Sequence, residues 1–255
     1  MMVYQRQREA FAAEGYAVFE GALTGELLAL LREQCGAFVA REEARMDAAG
    51  VDTLGISHRG RRYFANECQR EQPALRKMLF SPVMAEICLA TLGGTAYFFF
   101  DQYVVKGPET GLGFSWHQDS GYVIGNGGPA DHAPYLTCWC PLDDATADNG
   151  TVRVLPFSRA PASRAGVVPH ARQAGTNDLV GWPAEEEGVV IEAPAGSVVA
   201  FSSLLLHATG ANRTDRMRRV YLAQYTSEAM LDPGTRQLRR NAIALLRDGQ
   251  HVTLA

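Results

Sequence analysis

The sequence predicts an α+β chain whose later part is a β-sandwich or jelly roll. Three observations carry that prediction. Apolar spacing of helical period is confined to the residues before Gly93-Gly94. Beyond Gly94 the texture changes to short aromatic and β-branched runs separated by Gly, Pro and Asn clusters. The 255 residues are 47% hydrophobic, ample for one large core, and all-β barrels of this size are commonly one domain.

In chain order, residues 3–14 read as a short helix stopped by Gly15, and residues 16–19 as a short strand. Thr24 can cap a long helix running to Arg45, with Leu27, Leu28, Leu30, Leu31 and Phe38 on its apolar side. That helix breaks near Ala49-Gly50. Residues 51–66 show no clear period. Residues 72–79 and 81–92 read as two further helices. Residues 96–106 form a strand, 107–111 a turn cluster, and 114–119 a second strand. A Gly-rich loop spans 121–134, followed by a strand at 135–142. Asp148-Asn149-Gly150 is a tight turn before a strand at 151–155. Residues 158–188 have no convincing period, and a short strand follows at 189–191. Pro194-Ala195-Gly196 turns the chain into residues 197–202, in an apolar run that His207 closes. Residues 217–226 make the last strand. The expected organisation is one domain over 1–255: a helical part at 1–94, a core at about 95–228 and a tail at 229–255.

Composition narrows the function. The net charge of −4 and pI of about 5.9 argue against a nucleic-acid partner, which calls for a basic excess. The five cysteines are odd in number and lack C-x-x-C spacing, which fits a reducing cytoplasm better than a disulfide framework. The N-terminus has no apolar run of signal-peptide type. No window holds eighteen consecutive apolar residues, so no membrane span is expected. Monomer and homodimer both stay open.

The chemistry concentrates at His117-Gln118-Asp119. In an extended strand, residues i and i+2 share a face, so an imidazole and a carboxylate would stand side by side. Two such ligands fill adjacent corners of an octahedral ion. A histidine from a distant strand would complete a facial triad, the arrangement of non-heme Fe(II) oxygenases. His207, at the end of an apolar run, is the candidate. Alone it reads as an ordinary half-buried histidine, and an isolated H-x-D is common by chance; together they say more. Beyond the turn after His207 lie Arg218 and Arg219. A guanidinium beside a metal can grip a carboxylate in a bidentate fork. The alternative is a surface basic cluster with Arg213 and Arg216, and spacing does not choose between Arg218 and Arg219.

Five stretches in order resemble the phytanoyl-CoA dioxygenase family of Fe(II)/2-oxoglutarate-dependent oxygenases. They are Lys106-Gly107-Pro108, Trp116-His117-Gln118-Asp119, Thr137-Cys138-Trp139-Cys140-Pro141-Leu142-Asp143-Asp144, Asp148-Asn149-Gly150 through Pro156, and His207-Ala208-Thr209 through Arg218. The likeness covers roughly residues 8–228. It implies a double-stranded β-helix, the cupin-like jelly roll, with the N-terminal helices packed on one sheet. It implies that His117, Asp119 and His207 hold Fe(II). It further implies that Arg218 binds the distal carboxylate of 2-oxoglutarate with Thr209 helping, and that Lys106 and Trp139 line the co-substrate pocket. O2 is the second co-substrate, and succinate and CO2 are released. Halogenating relatives replace the carboxylate by a small residue, so Asp119 implies hydroxylase-type chemistry. One departure is that relatives often read Pro-Gly-Ser-His where this chain reads Pro156-Phe157-Ser158-Arg159.

A small-molecule substrate is expected, with residues 56–64, 121–134 and 158–188 forming the mouth. Part of 158–188 is expected to cover the metal pocket, since structureless connections beyond about 12–15 residues are usually functional or disordered. Arg62, Tyr122, His132 and Trp182 are the candidate substrate contacts; Arg62 reads equally as part of a solvated loop, and His132 as a plain loop histidine. The main reading is hydroxylation of an unactivated C–H bond. The same centre also serves desaturation, epimerisation or ring formation, and a non-catalytic metal- or ligand-binding jelly roll is the alternative from another class.

Overall fold

The computed structural model describes residues 4–253, apart from Thr24, Ile56, 109–112, 174–177, Ala184 and 230–241. Helix α1 (Gln5–Glu14) ends at Gly15, whose φ of +80° suits glycine and whose amide caps Phe11 O at 2.9 Å. Strand β1 is Tyr16–Phe19, as expected, and α2 runs Gly25–Ala49, one turn beyond the expected end. The Thr24 cap lies outside the described residues. Three short strands follow, β2 (Thr53–Leu54), β3 (Ser57–His58) and β4 (Arg62–Asn66). They occupy the stretch that showed no period, because strands this short carry too few alternations to register. Two 3-10 turns lead to α3 (Arg76–Leu79) and α4 (Pro82–Thr91), the latter capped by Ser81 Oγ accepting from Met84 N.

Strand β5 is Ala96–Lys106 and β6 is Phe114–His117. The second strand stops short of the expected end, and Asp119 opens a helix, α5 (Asp119–Gly125). A carboxylate is favoured in a first helical turn by the exposed amides there. The expected Gly-rich loop therefore begins as helix. Strands β7 (Leu136–Pro141) and β8 (Val152–Leu155) follow. Within 158–188 lie α6 (Pro161–Ala165), β9 (Ala171–Arg172) and β10 (Leu179–Val180). Then come β11 (Val189–Val190), β12 (Val198–Ser202), β13 (Leu206–Thr209) and β14 (Arg218–Thr226). His207 does not close the strand that begins at Val198. The chain turns at residues 203–205, where Leu205 N bonds Ser202 O at 2.8 Å, and starts a new strand in the other sheet. In the expected tail, β15 (Ile243–Arg247) pairs with the start of β5, and β16 (Gln250–His251) pairs with β15.

Two antiparallel sheets face each other. The larger runs β1-β12-β7-β14-β5-β4-β3-β2, with β15 beside β5; the smaller runs β11-β8-β13-β6. Alternation along the strands sorts side chains to two faces. Tyr103, Val105, Tyr221, Ala223 and Tyr225 point outward from the large sheet and form one core with α2 and α4. Phe38 of α2 stacks on Tyr103, and Tyr103 Oη bonds Leu31 O at 3.1 Å. The N-terminal helices thus cover one sheet, and the fold is the cupin-like jelly roll. Between the sheets lie Trp139, Val152, Val154, Phe201 and Val220. No helix among the described residues is long and apolar enough to cross a membrane.

Candidate active site

His117 on β6 and His207 on β13 are direct register partners, with ring centroids 4.2 Å apart. Gln118 holds an extended backbone (φ −109°, ψ 138°), so Asp119 returns to the side that His117 faces although it begins a helix. Asp119 Oδ1 lies 3.9 Å from His117 Nε2 and 3.5 Å from His207 Nε2, and one ligand atom from each residue lies within 4.8 Å of the others. Both Nδ1 atoms are committed to carbonyls, His117 to Ser115 O at 2.7 Å and His207 to Leu205 O at 3.0 Å. An imidazole whose Nδ1–H is donated keeps Nε2 as a lone-pair ligand aimed at the centre. Burial, reinforced by His207, pulls His117 down to about 3, so it is neutral at pH 7. Burial alone would raise Asp119; His207, His117 and a hydrogen bond from Thr137 outweigh it and hold the carboxyl at about 2. Two imidazoles and one carboxylate are the donor set that a divalent iron takes, and the residues fit it.

The second oxygen of Asp119 is held from the large sheet. Thr137 Oγ1 donates to Oδ2 at 2.5 Å and Gln224 Nε2 at 3.3 Å, and Gln224 also donates to Thr137 Oγ1 at 3.1 Å. Thr137 and Gln224 are paired across β7 and β14.

Arg218, the first residue of β14, is 1% exposed. Among the described residues none of its three guanidinium nitrogens has a hydrogen-bond partner. The group sits 5.6 Å from the Trp139 ring centroid. Burial pulls it down to about 10, with Asp143 pulling the other way, so it remains cationic at neutral pH. Lys106 is its register partner on β5 and donates to Thr209 Oγ1 at 2.7 Å and Gly210 O at 3.2 Å. Arg219 points to the opposite face and forms a fork with Asp143, at 2.5 and 2.9 Å. A buried charge left unpaired is costly, so the Arg218 site fits an anionic group supplied from outside the chain.

Residues 11–220 match the family model described as Phytanoyl-CoA dioxygenase (PhyH). This chain belongs to the phytanoyl-CoA dioxygenase family. It is 27% identical to the ectoine dioxygenase of Sphingopyxis alaskensis (strain DSM 13593 / LMG 18877 / RB2256) over 224 residues, 82% of this chain and 71% of that protein. It is 25% identical to the L-proline trans-4-hydroxylase of Streptomyces griseoviridis over 179 residues, 62% and 65% of the two chains. The fold superposes with a TM-score of 0.61 on the epimerase SnoN in complex with Fe3+, alpha ketoglutarate and nogalamycin RO, covering 97% and 94% at 19% identity. The protein is a non-heme Fe(II)/2-oxoglutarate-dependent oxygenase that uses Fe(II), 2-oxoglutarate and O2.

The candidate substrate contacts divide. Tyr122 sets its ring edge-on to His117 at 5.2 Å. Arg62 pairs in register with Lys106 and bonds His58 Nε2 at 3.2 Å. His132 bonds Ser120 Oγ at 2.9 Å and Pro129 O at 2.7 Å, which ties its loop to α5. Trp182 is half-buried. It packs with Trp116, Leu206 and Ala208, on the face of β6 and β13 opposite the two histidines. The reason is alternation: Trp116 and His117 are consecutive, and the apolar stripe that Trp116 shares needed a cover. Among the described residues of 158–188, Gly181 N bonds Trp116 O at 2.8 Å, while Leu179 N bonds Tyr122 Oη at 3.2 Å. Arg159 pairs with Glu186. Sequence reasoning missed Thr137 and Gln224. Period two offered a signal, since Thr137 shares a face with Trp139 and Gln224 with Arg218.

Proposed function

We propose that His117, Asp119 and His207 hold Fe(II), that Arg218 anchors the distal carboxylate of 2-oxoglutarate, and that the enzyme hydroxylates an unactivated C–H bond of a small metabolite. The observation that carries this is the Arg218 guanidinium, buried and unpartnered among the described residues, over Trp139 of the inter-sheet core whose Phe201 packs on the His207 ring. When bound, iron and 2-oxoglutarate activate O2, with loss of CO2 and formation of succinate, and so supply the oxidising power. The chain's own residues bind and orient. Thr137 and Gln224 fix Asp119 so that Oδ1 faces the histidines. Lys106 holds the Thr209 hydroxyl at the co-substrate end. Trp139, Val220 and Phe201 make the dry wall between them. Tyr122 flanks the open side of His117.

The relatives named for ectoine and L-proline support a small polar metabolite as substrate. We read the chain as one cytoplasmic catalytic domain, with β15 completing the large sheet. Succinate release with Fe(II), ascorbate and 2-oxoglutarate, screened across amino-acid-like solutes and natural-product scaffolds, tests the function. Substrate-stimulated succinate with a product heavier by one oxygen is expected. A product of unchanged mass, or lighter by two hydrogens, would replace hydroxylation by epimerisation or by desaturation or ring closure. No succinate from protein that binds iron and 2-oxoglutarate would remove the catalytic reading.

A further inference from the structure

Gln118 stands between two of the three ligands, yet its side chain is 0% exposed and points away from them. Its Nε2 donates to Leu204 O at 2.5 Å and to Gly166 O at 3.0 Å, and its Oε1 accepts from Val168 N at 2.7 Å. Leu204 belongs to the turn that launches β13 and His207. One amide therefore joins the His117–Asp119 turn to the His207 strand and to the 163–168 segment. The junction is doubled by Ser120, whose N and Oγ bond Ser203 O and Oγ at 3.0 and 2.8 Å.

His170 completes the arrangement. Its Nδ1 is committed to Val168 O at 2.6 Å, which leaves Nε2 to accept the backbone N–H of Gln118 at 3.1 Å. The ring lies between two glycines. A Cβ on Gly121 would come within 2.7 Å of it, and one on Gly181 within 2.5 Å. Two further bonds hold the same segment to α5: Tyr122 Oη accepts from Leu179 N at 3.2 Å, and Arg172 donates to Gly125 O at 3.0 Å.

We propose that Gln118 and His170 are positioning residues: acting from behind, they set the spacing of Asp119 against the two histidines and make residues 163–173 and 178–181 a strap on the metal site. The inference rests on the ligand assignment proposed above. A backbone amide pinned at Gln118 fixes the peptide that separates two ligands, and partners behind ligands typically change metal affinity about 10–100-fold.

Co(II) titration of the metal-free protein, followed by the ligand-field spectrum and paired with the melting temperature of each apo variant, tests it. His170→Leu and Gln118→Leu should each weaken Co(II) about 10- to 100-fold and shift the spectrum. His170→Gln, which restores an acceptor near Nε2, should recover most of the affinity; a merely structural role would lower apo stability without that rescue. Gly181→Ala, which crowds the ring from the far side, serves as the milder variant if a leucine substitution fails to fold, and should also weaken Co(II). His117→Ala is the reference for the ligand assignment. Binding in a folded His170→Leu or Gly181→Ala protein within threefold of wild type, while His117→Ala binds nothing, overturns the strap alone. A His170→Gln protein no better than His170→Leu does the same. If His117→Ala binds as wild type does, the ligand assignment falls and the strap with it.

Discussion

Thr137 Oγ1 donates to Asp119 Oδ2 at 2.5 Å from the opposite sheet, and this leaves Oδ1 as the oxygen that faces His117 and His207. Without that bond only the longer Gln224 Nε2 contact, at 3.3 Å, holds Oδ2. Thr137→Val keeps the volume and removes the hydroxyl. It should weaken Co(II) or Fe(II) binding roughly tenfold or more, with Thr137→Ser near wild type. Metal titration of the purified variants decides it; equal affinity for Val and Ser would mean that the hydroxyl has no part in orienting the ligand.

Arg218 and Arg219 are neighbours with opposite fates, one buried without a partner and one forked to Asp143. Removing one member of a buried, hydrogen-bonded charge pair costs roughly 2–5 kcal/mol. At about 1.4 kcal/mol per tenfold, Arg218→Ala should weaken 2-oxoglutarate roughly 30- to several thousand-fold. Arg218→Lys keeps the charge without the fork and should fall between. Arg219→Ala should leave affinity nearly unchanged. Anaerobic titration of metal-loaded protein measures all three, and strong loss in Arg219→Ala with none in Arg218→Ala would reverse the assignment.

Metal should stabilise the fold, because the proposed ligands come from β6, α5 and β13. A ligand that binds only the folded state at a hundred times its dissociation constant contributes about 2.7 kcal/mol. Melting temperature should rise with Co(II) and rise again with 2-oxoglutarate. In His207→Ala the first increment should vanish. A full increment in that variant would place the metal elsewhere.

Asp101 lies in the outer core, away from the ligands. Its Oδ2 accepts from Tyr221 Oη at 2.7 Å and Gln69 N at 2.9 Å, while Oδ1 is buried without a partner among the described residues. Burial pushes the carboxyl up to about 6, against those two hydrogen bonds. A raised folded-state value means that the native form binds the proton more tightly than the unfolded chain. This contribution is therefore full below about pH 4 and is lost as pH rises through about 6, some 3 kcal/mol in order of magnitude. Asp101→Asn should melt progressively higher relative to wild type from pH 4 to pH 7. A difference that is flat with pH would show that Asp101 does not titrate in that window.

Much of the site was legible because it depends on short-range geometry. The i, i+2 placement of His117 and Asp119 needs only one extended residue between them, and Gln118 provides it whether Asp119 continues a strand or starts a helix. Period two likewise put Arg218 and Arg219 on opposite faces before any contact was known. The strands at residues 16–19 and 96–106 were bounded by their own glycines and turns.

The sequence by itself determined the class of chemistry, through residue types in a local pattern: an H-x-D pair, a distant strand histidine and a basic residue one strand beyond. Only the tertiary structure decided which groups serve those residues. That Gln224 meets Thr137 on Asp119 depends on the β7–β14 register, and that β15 returns to β5 depends on a pairing across most of the chain. Trp182 packs on the apolar face shared by Trp116, Leu206 and Ala208, which had to be covered. Such outcomes are set by which distant surfaces bury each other, a free-energy balance over the whole core that no local pattern encodes.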